Sequence, residues 1–186
     1  MSVLAQHLPK TDCRRKLPGM DLYLMRHGIA EAPETQSSGQ DRDRRLTPKG
    51  VRRVRQIAQA MKEMGLEFDR ILSSPFRRAR ETAELVAEGL EAESRLKFGD
   101  HLAVPPDNLK LLRQIATHRP ALERVLLVGH EPHLSELTSL LVAGSPDLRL
   151  TFRKGGLCRL SVESLHAGRC ATLEWLLTPS QMLLMT

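Results

Sequence analysis

Along residues 21–143, short apolar runs alternate with longer stretches in which apolar residues recur every three or four positions. That alternation constrains the fold more than any other feature of the chain. The runs DLYLM (21–25), RILSS (70–74) and RVLLV (124–128) read as short, buried strands. Over 48–64, Val51, Val54, Ile57, Ala58 and Met61 make one helical stripe behind a Thr47-Pro48 cap. A second stripe over 75–90 holds Ala79, Ala83, Val86 and Leu90, and is opened by Ser74-Pro75. A third over 107–117 holds Leu109, Leu112 and Ile115 or Ala116, and a fourth over 132–143 holds Leu134, Leu137 and Leu141. The period then changes to two. LCRLSVE (157–163) and CATLEWLLT (170–178) alternate across SLHAGR, which predicts an antiparallel hairpin. The pattern predicts an α/β protein: a three-layer α/β/α sandwich with a mainly parallel sheet and antiparallel strands at one edge.

A chain of 186 residues suits one well-buried core. Aromatic residues are only 3% of it, so Leu, Val and Ala must build that core. Residues 21–186 are expected to form a single domain, with 1–20 as a flexible N-terminal extension. The extension has no continuous apolar stretch of the secretory kind, and no run approaches membrane-spanning length. Cys13, Cys158 and Cys170 show no paired spacing, as expected of reduced thiols in a cytoplasmic protein without a membrane partner. The net charge of +6 favours an anionic partner.

Three groups able to do chemistry stand at predicted strand ends, where open α/β sheets bind ligands. Arg26 and His27 follow the first strand, and His130 follows the third through Gly129. SSPFRRARET puts Arg77 and Arg78 near the first turn of a helix, so that one guanidinium can reach the anion-attracting helix mouth. Arginines fork onto phosphate oxygens and offset the charge of a transferring phosphoryl group. A neutral imidazole with one nitrogen fixed by a hydrogen bond is a competent nucleophile toward phosphorus. The set fits phosphoryl transfer through a phosphohistidine intermediate, with no metal.

These motifs, LMRHG, LSSPFRRARETA and LLVGHEPHLSEL, in this order, resemble the histidine phosphatase superfamily with its phosphoglycerate-mutase-like fold. The short chain is most similar to the small branch, the SixA-type phosphohistidine phosphatases. The resemblance covers roughly residues 21 to 178. It implies that His27 is the phosphorylated nucleophile, that Arg26 and Arg78 bind phosphate, and that His130 is a second histidine facing the phosphoryl group. FRKGGLCRL (152–160) resembles the segment before the family's final strands. Larger members take a general acid from the region after a third strand; here that region reads KFGDHLAVPPDN, and Asp100 is the nearby candidate. A phosphoramidate has a weak P–N bond and a readily protonated leaving group, so it depends less on such an acid.

The implied activity is a metal-independent phosphatase acting on protein phosphohistidine, with a histidine-phosphotransfer protein of signal transduction as partner and no cofactor. The alternatives are the same chemistry on small phosphate esters, phosphosugars or nucleotides, and a phosphate-binding module without turnover. His130 and His133 form an H-x-x-H pair, but the spacing matches no common zinc motif. Arg42, Arg44, Arg45, Lys49, Arg52, Arg53 and Arg55 form a basic cluster. With aromatic stacking residues scarce and no nucleic-acid motif, the cluster reads by default as a solvated basic face, with docking of an acidic phosphoprotein near the site as the middle reading. The polar stretch 31–46 is expected to loop over the first strand's end, and SQMLLMT (180–186) to pack back on the domain.

Overall fold

The computed structural model describes residues 19–32, 41–118 and 120–185. Six strands make one sheet: β1 (Met20–Arg26), β2 (Arg70–Ser73), β3 (Leu96–Phe98), β4 (Arg124–Gly129), β5 (Leu157–Val162) and β6 (Ala171–Leu177). Their order is β3-β2-β4-β1-β5-β6. The first four are parallel and β5 and β6 run antiparallel, as the hairpin pattern predicts. The helices are α1 (Pro48–Glu63), α2 (Arg77–Gly89), α3 (Asn108–Ala116), α4 (His133–Ala143) and a one-turn α5 (Pro179–Met182).

Alternation along the central strands sorts the core into two layers. Tyr23, Met25, Leu126 and Val128 point to the face covered by α1 and α2, where they meet Val54, Ile57, Met61, Ala83 and Val86. Leu22, Leu24, Val125 and Leu127 point to the other face, against Leu111, Leu112, Leu134, Leu137 and Leu141 of α3 and α4. Side chains buried this fully contribute about 2 kcal/mol each through the apolar area they remove from water. The result is a three-layer α/β/α sandwich. Helix α1 starts as its cap predicts, with the Gly50 N–H donating to Thr47 Oγ1 at 3.0 Å.

Some details depart from the sequence reading. Strand β3 carries no apolar signal, because it is a three-residue edge strand with Lys97 and Phe98 exposed. In α3 the buried positions are Leu111, Leu112 and Ile115, whereas Leu109 is 57% exposed. The second helix begins two residues after Pro75, since Phe76 stays extended as its N-cap. Met20, assigned to the N-terminal extension, opens β1; residues 1–18 lie outside the described residues. Met182 packs back as expected, but Leu184 and Met185 are exposed. Burial pushes the Cys158 thiol up to about 12, and Cys13 lies outside the described residues. Among the described residues no helix is long and apolar enough to cross a membrane.

The connections set the site. After β1 the chain passes to α1 on one face; after its neighbour β4 it passes to α4 on the other. Such a reversal opens a crevice at the carboxyl ends of the two strands. Of the 31–46 loop, 33–40 lies outside the described residues. Its two ends are clamped together at that crevice, where the Glu31 N–H donates to Arg45 O at 3.0 Å and the Thr47 N–H to Ile29 O at 2.9 Å.

Candidate active site

Arg26 pairs with Gly129 as the last step of the β1–β4 ladder, so His27 and His130 leave adjacent strand ends together. The His27 N–H donates to Gly129 O at 3.0 Å. The two imidazole rings lie 5.2 Å apart, centroid to centroid. Ser73, the last residue of β2, lies beside Val128, which places Ser74 next to the same crevice. The sheet thus delivers all three groups from rigid elements.

His27 is 6% exposed. Its Nδ1–H donates to the Gly28 carbonyl at 2.7 Å, which leaves the lone pair on Nε2. The glycine of the RHG triplet is required by packing: a Cβ there would stand 2.7 Å from Val54 Cγ2. Its N–H donates to Thr82 Oγ1 at 3.0 Å, and the Thr82 hydroxyl in turn donates to Arg78 O at 2.6 Å. The neighbour of His27 is therefore tied to the helix that carries Arg78. Gly155, at φ +81°, donates its N–H to the carbonyls of both Arg26 and His27 at 3.0 and 3.1 Å. A left-handed φ explains glycine at that turn.

Of the two helix-mouth arginines, Arg77 is exposed and pairs with Glu81, while Arg78 turns inward with its side chain 5% exposed. Its Nε–H donates to His27 Nε2 at 3.3 Å. Its terminal nitrogens donate to Asp41, NH1 to the carbonyl at 2.6 Å and NH2 to Oδ2 at 2.8 Å. Arg26 is held from the other side, its NH1 donating to Phe152 O at 2.8 Å, and its buried Nε has no partner among the described residues. The segment 152–160, which leads into β5, thus also anchors a site residue.

His130 Nε2 lies 2.8 Å from Ser74 Oγ. With that hydroxyl donating, Nδ1 carries the ring hydrogen, and Nδ1 is buried without a partner among the described residues. Such a donor can serve an oxygen of a bound ligand. Phe76 packs against the ring of His130 at 5.2 Å and under the guanidinium groups of Arg78 and Arg42 at 5.5 and 5.8 Å. Asp41, Ser74, Phe76 and Thr82 were missed as site residues by the sequence reading. Asp41 lay in an unpatterned polar loop, and the other three lay in a stretch read as a helix start.

Asp100 is exposed at the start of a 3-10 turn after β3 and makes no hydrogen bond to His27, Arg78 or His130. His133 takes a different direction from His130, its Nε2 reaching Asn108 Oδ1 of α3. Among the described residues no three His, Cys, Asp or Glu side chains gather to hold an ion. The basic cluster divides. Arg42 and Arg44 border the crevice, whereas Lys49, Arg52 and Arg55 lie exposed along α1.

Burial pushes His27 down to about 3 against the opposing pull of the Gly28 carbonyl, with the charges of His130, Arg78 and Arg26 adding to the fall. Burial, then Arg78, brings His130 to about 4, and burial alone brings His133 to about 4. All three rings are therefore neutral at pH 7, the form a nucleophile needs. In the unfolded chain they titrate near 6.5, so below that pH the unfolded state binds more protons and stability falls. With three protons involved, the slope approaches about 4 kcal/mol per pH unit near pH 5. The melting temperature is expected to drop steeply between pH 7 and pH 5. A flat profile there would show that these rings are not held neutral.

Two imidazoles and two guanidinium groups gather around one crevice with the rings neutral, a set whose chemistry suits an anionic group such as a phosphoryl. The comparisons agree. The model of the histidine phosphatase superfamily (branch 1) matches residues 22–99. An uncharacterized protein of Picosynechococcus sp. is 34% identical over 148 residues, spanning 76% of this chain and 84% of that one. Phosphohistidine phosphatase SixA of Escherichia coli is 26% identical over 166 residues, 88% of this chain and 96% of that one. The solved structure of the protein histidine phosphatase SixA complexed with tungstate matches with a TM-score of 0.71 at 25% identity, covering 87% of this chain and 98% of that one. The chain belongs to the histidine phosphatase superfamily, in its SixA-type branch, with the phosphoglycerate-mutase-like fold. Members of the superfamily are phosphatases, and that is the class of activity supported here.

Proposed function

We propose that this protein hydrolyses protein phosphohistidine through a phospho-His27 intermediate. The observation that carries the reading is the fixed tautomer of His27, its Nδ1–H bound to the Gly28 carbonyl and its Nε2 lone pair beside Arg78. In the first step His27 Nε2 forms a bond to phosphorus as the substrate's P–N bond breaks, and the departing imidazole takes a proton from solvent. In the second, water attacks phosphorus, the bond to Nε2 breaks, and inorganic phosphate leaves. The guanidinium groups of Arg26 and Arg78 and the ring hydrogen of His130 stabilise the oxygens of the transferring group in both steps.

A phosphoramidate substrate fits the exposed position of Asp100, since its leaving group needs no strong enzyme acid. The similarity to SixA relatives favours the same substrate. The partner on this reading is a cytoplasmic histidine-phosphotransfer domain in a signalling chain. The test is rapid-quench labelling with such a domain carrying radioactive phosphohistidine, beside a panel of small phosphate esters. Transient label on the enzyme with release of phosphate is the expected result. Turnover of esters alone, and none of the phosphohistidine donor, would overturn the substrate assignment and make Asp100 the candidate acid.

A further inference from the structure

The inward edge of Arg78 is already occupied. Each terminal nitrogen gives one N–H to Asp41, NH1 to the carbonyl and NH2 to the carboxylate, and the Nε–H goes to His27. The Asp41 carboxylate has a second cationic seat: Arg44 grips its Oδ1 through Nε at 2.8 Å and NH2 at 2.6 Å. Arg44 is itself fixed to the Glu31 carbonyl at 2.9 Å. Partial burial works to raise the Asp41 carboxyl, but the hydrogen bonds and charges of Arg78 and Arg44 hold it below the ordinary carboxylate value. At neutral pH it is an anion lying one guanidinium away from the nucleophile.

A phosphoryl group that is to reach His27 Nε2 while forked on Arg78 meets that anion in the same place. Two anions do not share one guanidinium fork without a large repulsion. The side chain of Arg78 is 5% exposed and tied to His27 through Nε, whereas that of Asp41 is 55% exposed. The carboxylate is the group free to move, and Arg44 keeps it neutralised when it does.

We infer that Asp41 is an internal counter-anion, a positioning residue that holds the phosphoryl-binding fork of Arg78 in the empty site and yields it to substrate. The inference rests on the phosphatase reading. It has a consequence for turnover. A pocket lined by Arg26, Arg78 and His130 binds inorganic phosphate as well as substrate, and product held there blocks the next cycle. The returning carboxylate competes for Arg78 and drives phosphate out.

The test uses the full chain with inorganic phosphate as probe, measured by calorimetric titration and as a product inhibitor. Asp41→Asn keeps the side-chain shape and an acceptor for Arg78 but removes the charge. It is expected to bind phosphate about tenfold tighter, a gain of about 1.4 kcal/mol. KM and kcat are expected to fall together, because release becomes slow. Asp43→Asn, the same charge change on an exposed neighbour in the same 3-10 turn, is expected to move these values less than about twofold, as surface charges do. Weaker phosphate binding with a raised KM in Asp41→Asn would show that Asp41 only orients Arg78, and would overturn the inference. An equal response from Asp43→Asn would also overturn it, by assigning the effect to net charge. Failure of the wild type to bind or release phosphate would overturn the phosphatase reading itself.

Discussion

Replacing His27 by alanine is expected to abolish covalent labelling and lower phosphatase turnover by about 10⁴-fold or more, the size of effect seen when a nucleophile is removed. Arg26, Arg78 and His130 remain in such a variant, so binding of inorganic phosphate should survive. The fold should survive as well. The His27 ring makes two side-chain hydrogen bonds, one to its neighbour's carbonyl and one with Arg78 Nε, and the strand it follows is held by ladders on both sides. The substitution leaves an imidazole-sized space beside Arg78 and His130. Added imidazole is therefore expected to restore part of the turnover by taking the phosphoryl group in place of the side chain, with phosphoimidazole as the released species. Rescue of this kind separates loss of a nucleophile from loss of structure. Labelling that persists in His27→Ala would move the nucleophile elsewhere, with His130 the next ring to test.

The sequence carried the parts of this site that strands deliver. Arg26, His27 and His130 stand at the ends of strongly apolar runs, which places them at strand ends, whereas the pairing of β1 with β4 that brings them together is tertiary. Arg78 was legible as one of two arginines at a helix mouth, and only packing decides that Arg78 turns in while Arg77 pairs with Glu81. Three features had no local signal. Strand β3 is held by β2 on one side and exposes two of its three side chains, so its pairing is tertiary. The choice of Leu111 over Leu109 in α3 depends on how that helix rotates against α4, which periodicity over nine residues does not fix. Asp41 sits in a polar loop whose ends are clamped by backbone bonds, and its position over Arg78 reflects that closure rather than any residue pattern.

Arg78 is the side chain on which the other groups converge, and its replacement by lysine is expected to lower kcat/KM by about 10²- to 10³-fold, or about 3–4 kcal/mol. The charge is kept, so the loss measures the planar fork: lysine presents one point charge where Arg78 presents donors toward His27 and toward the phosphoryl seat at once. An altered nucleophile does not explain a loss of that size. Burial is the leading cause of the depressed His27 value, and the charge of Arg78 is a smaller contributor behind the Gly28 bond and His130. Arg78→Lys keeps the charge and a long side chain beside His27, so burial stays the leading influence and the ring stays neutral at pH 7. Its titration, followed by NMR in that variant, is expected to remain below 6.5. The kinetic split adds a second check. A fork that binds substrate and transition state alike would raise KM alone, whereas one that tightens as charge spreads over the equatorial oxygens lowers kcat as well. The expected result is a fall mainly in kcat for Arg78→Lys. A variant within about tenfold of wild type in kcat/KM would remove Arg78 from the phosphoryl seat, and with it the argument that Asp41 competes there.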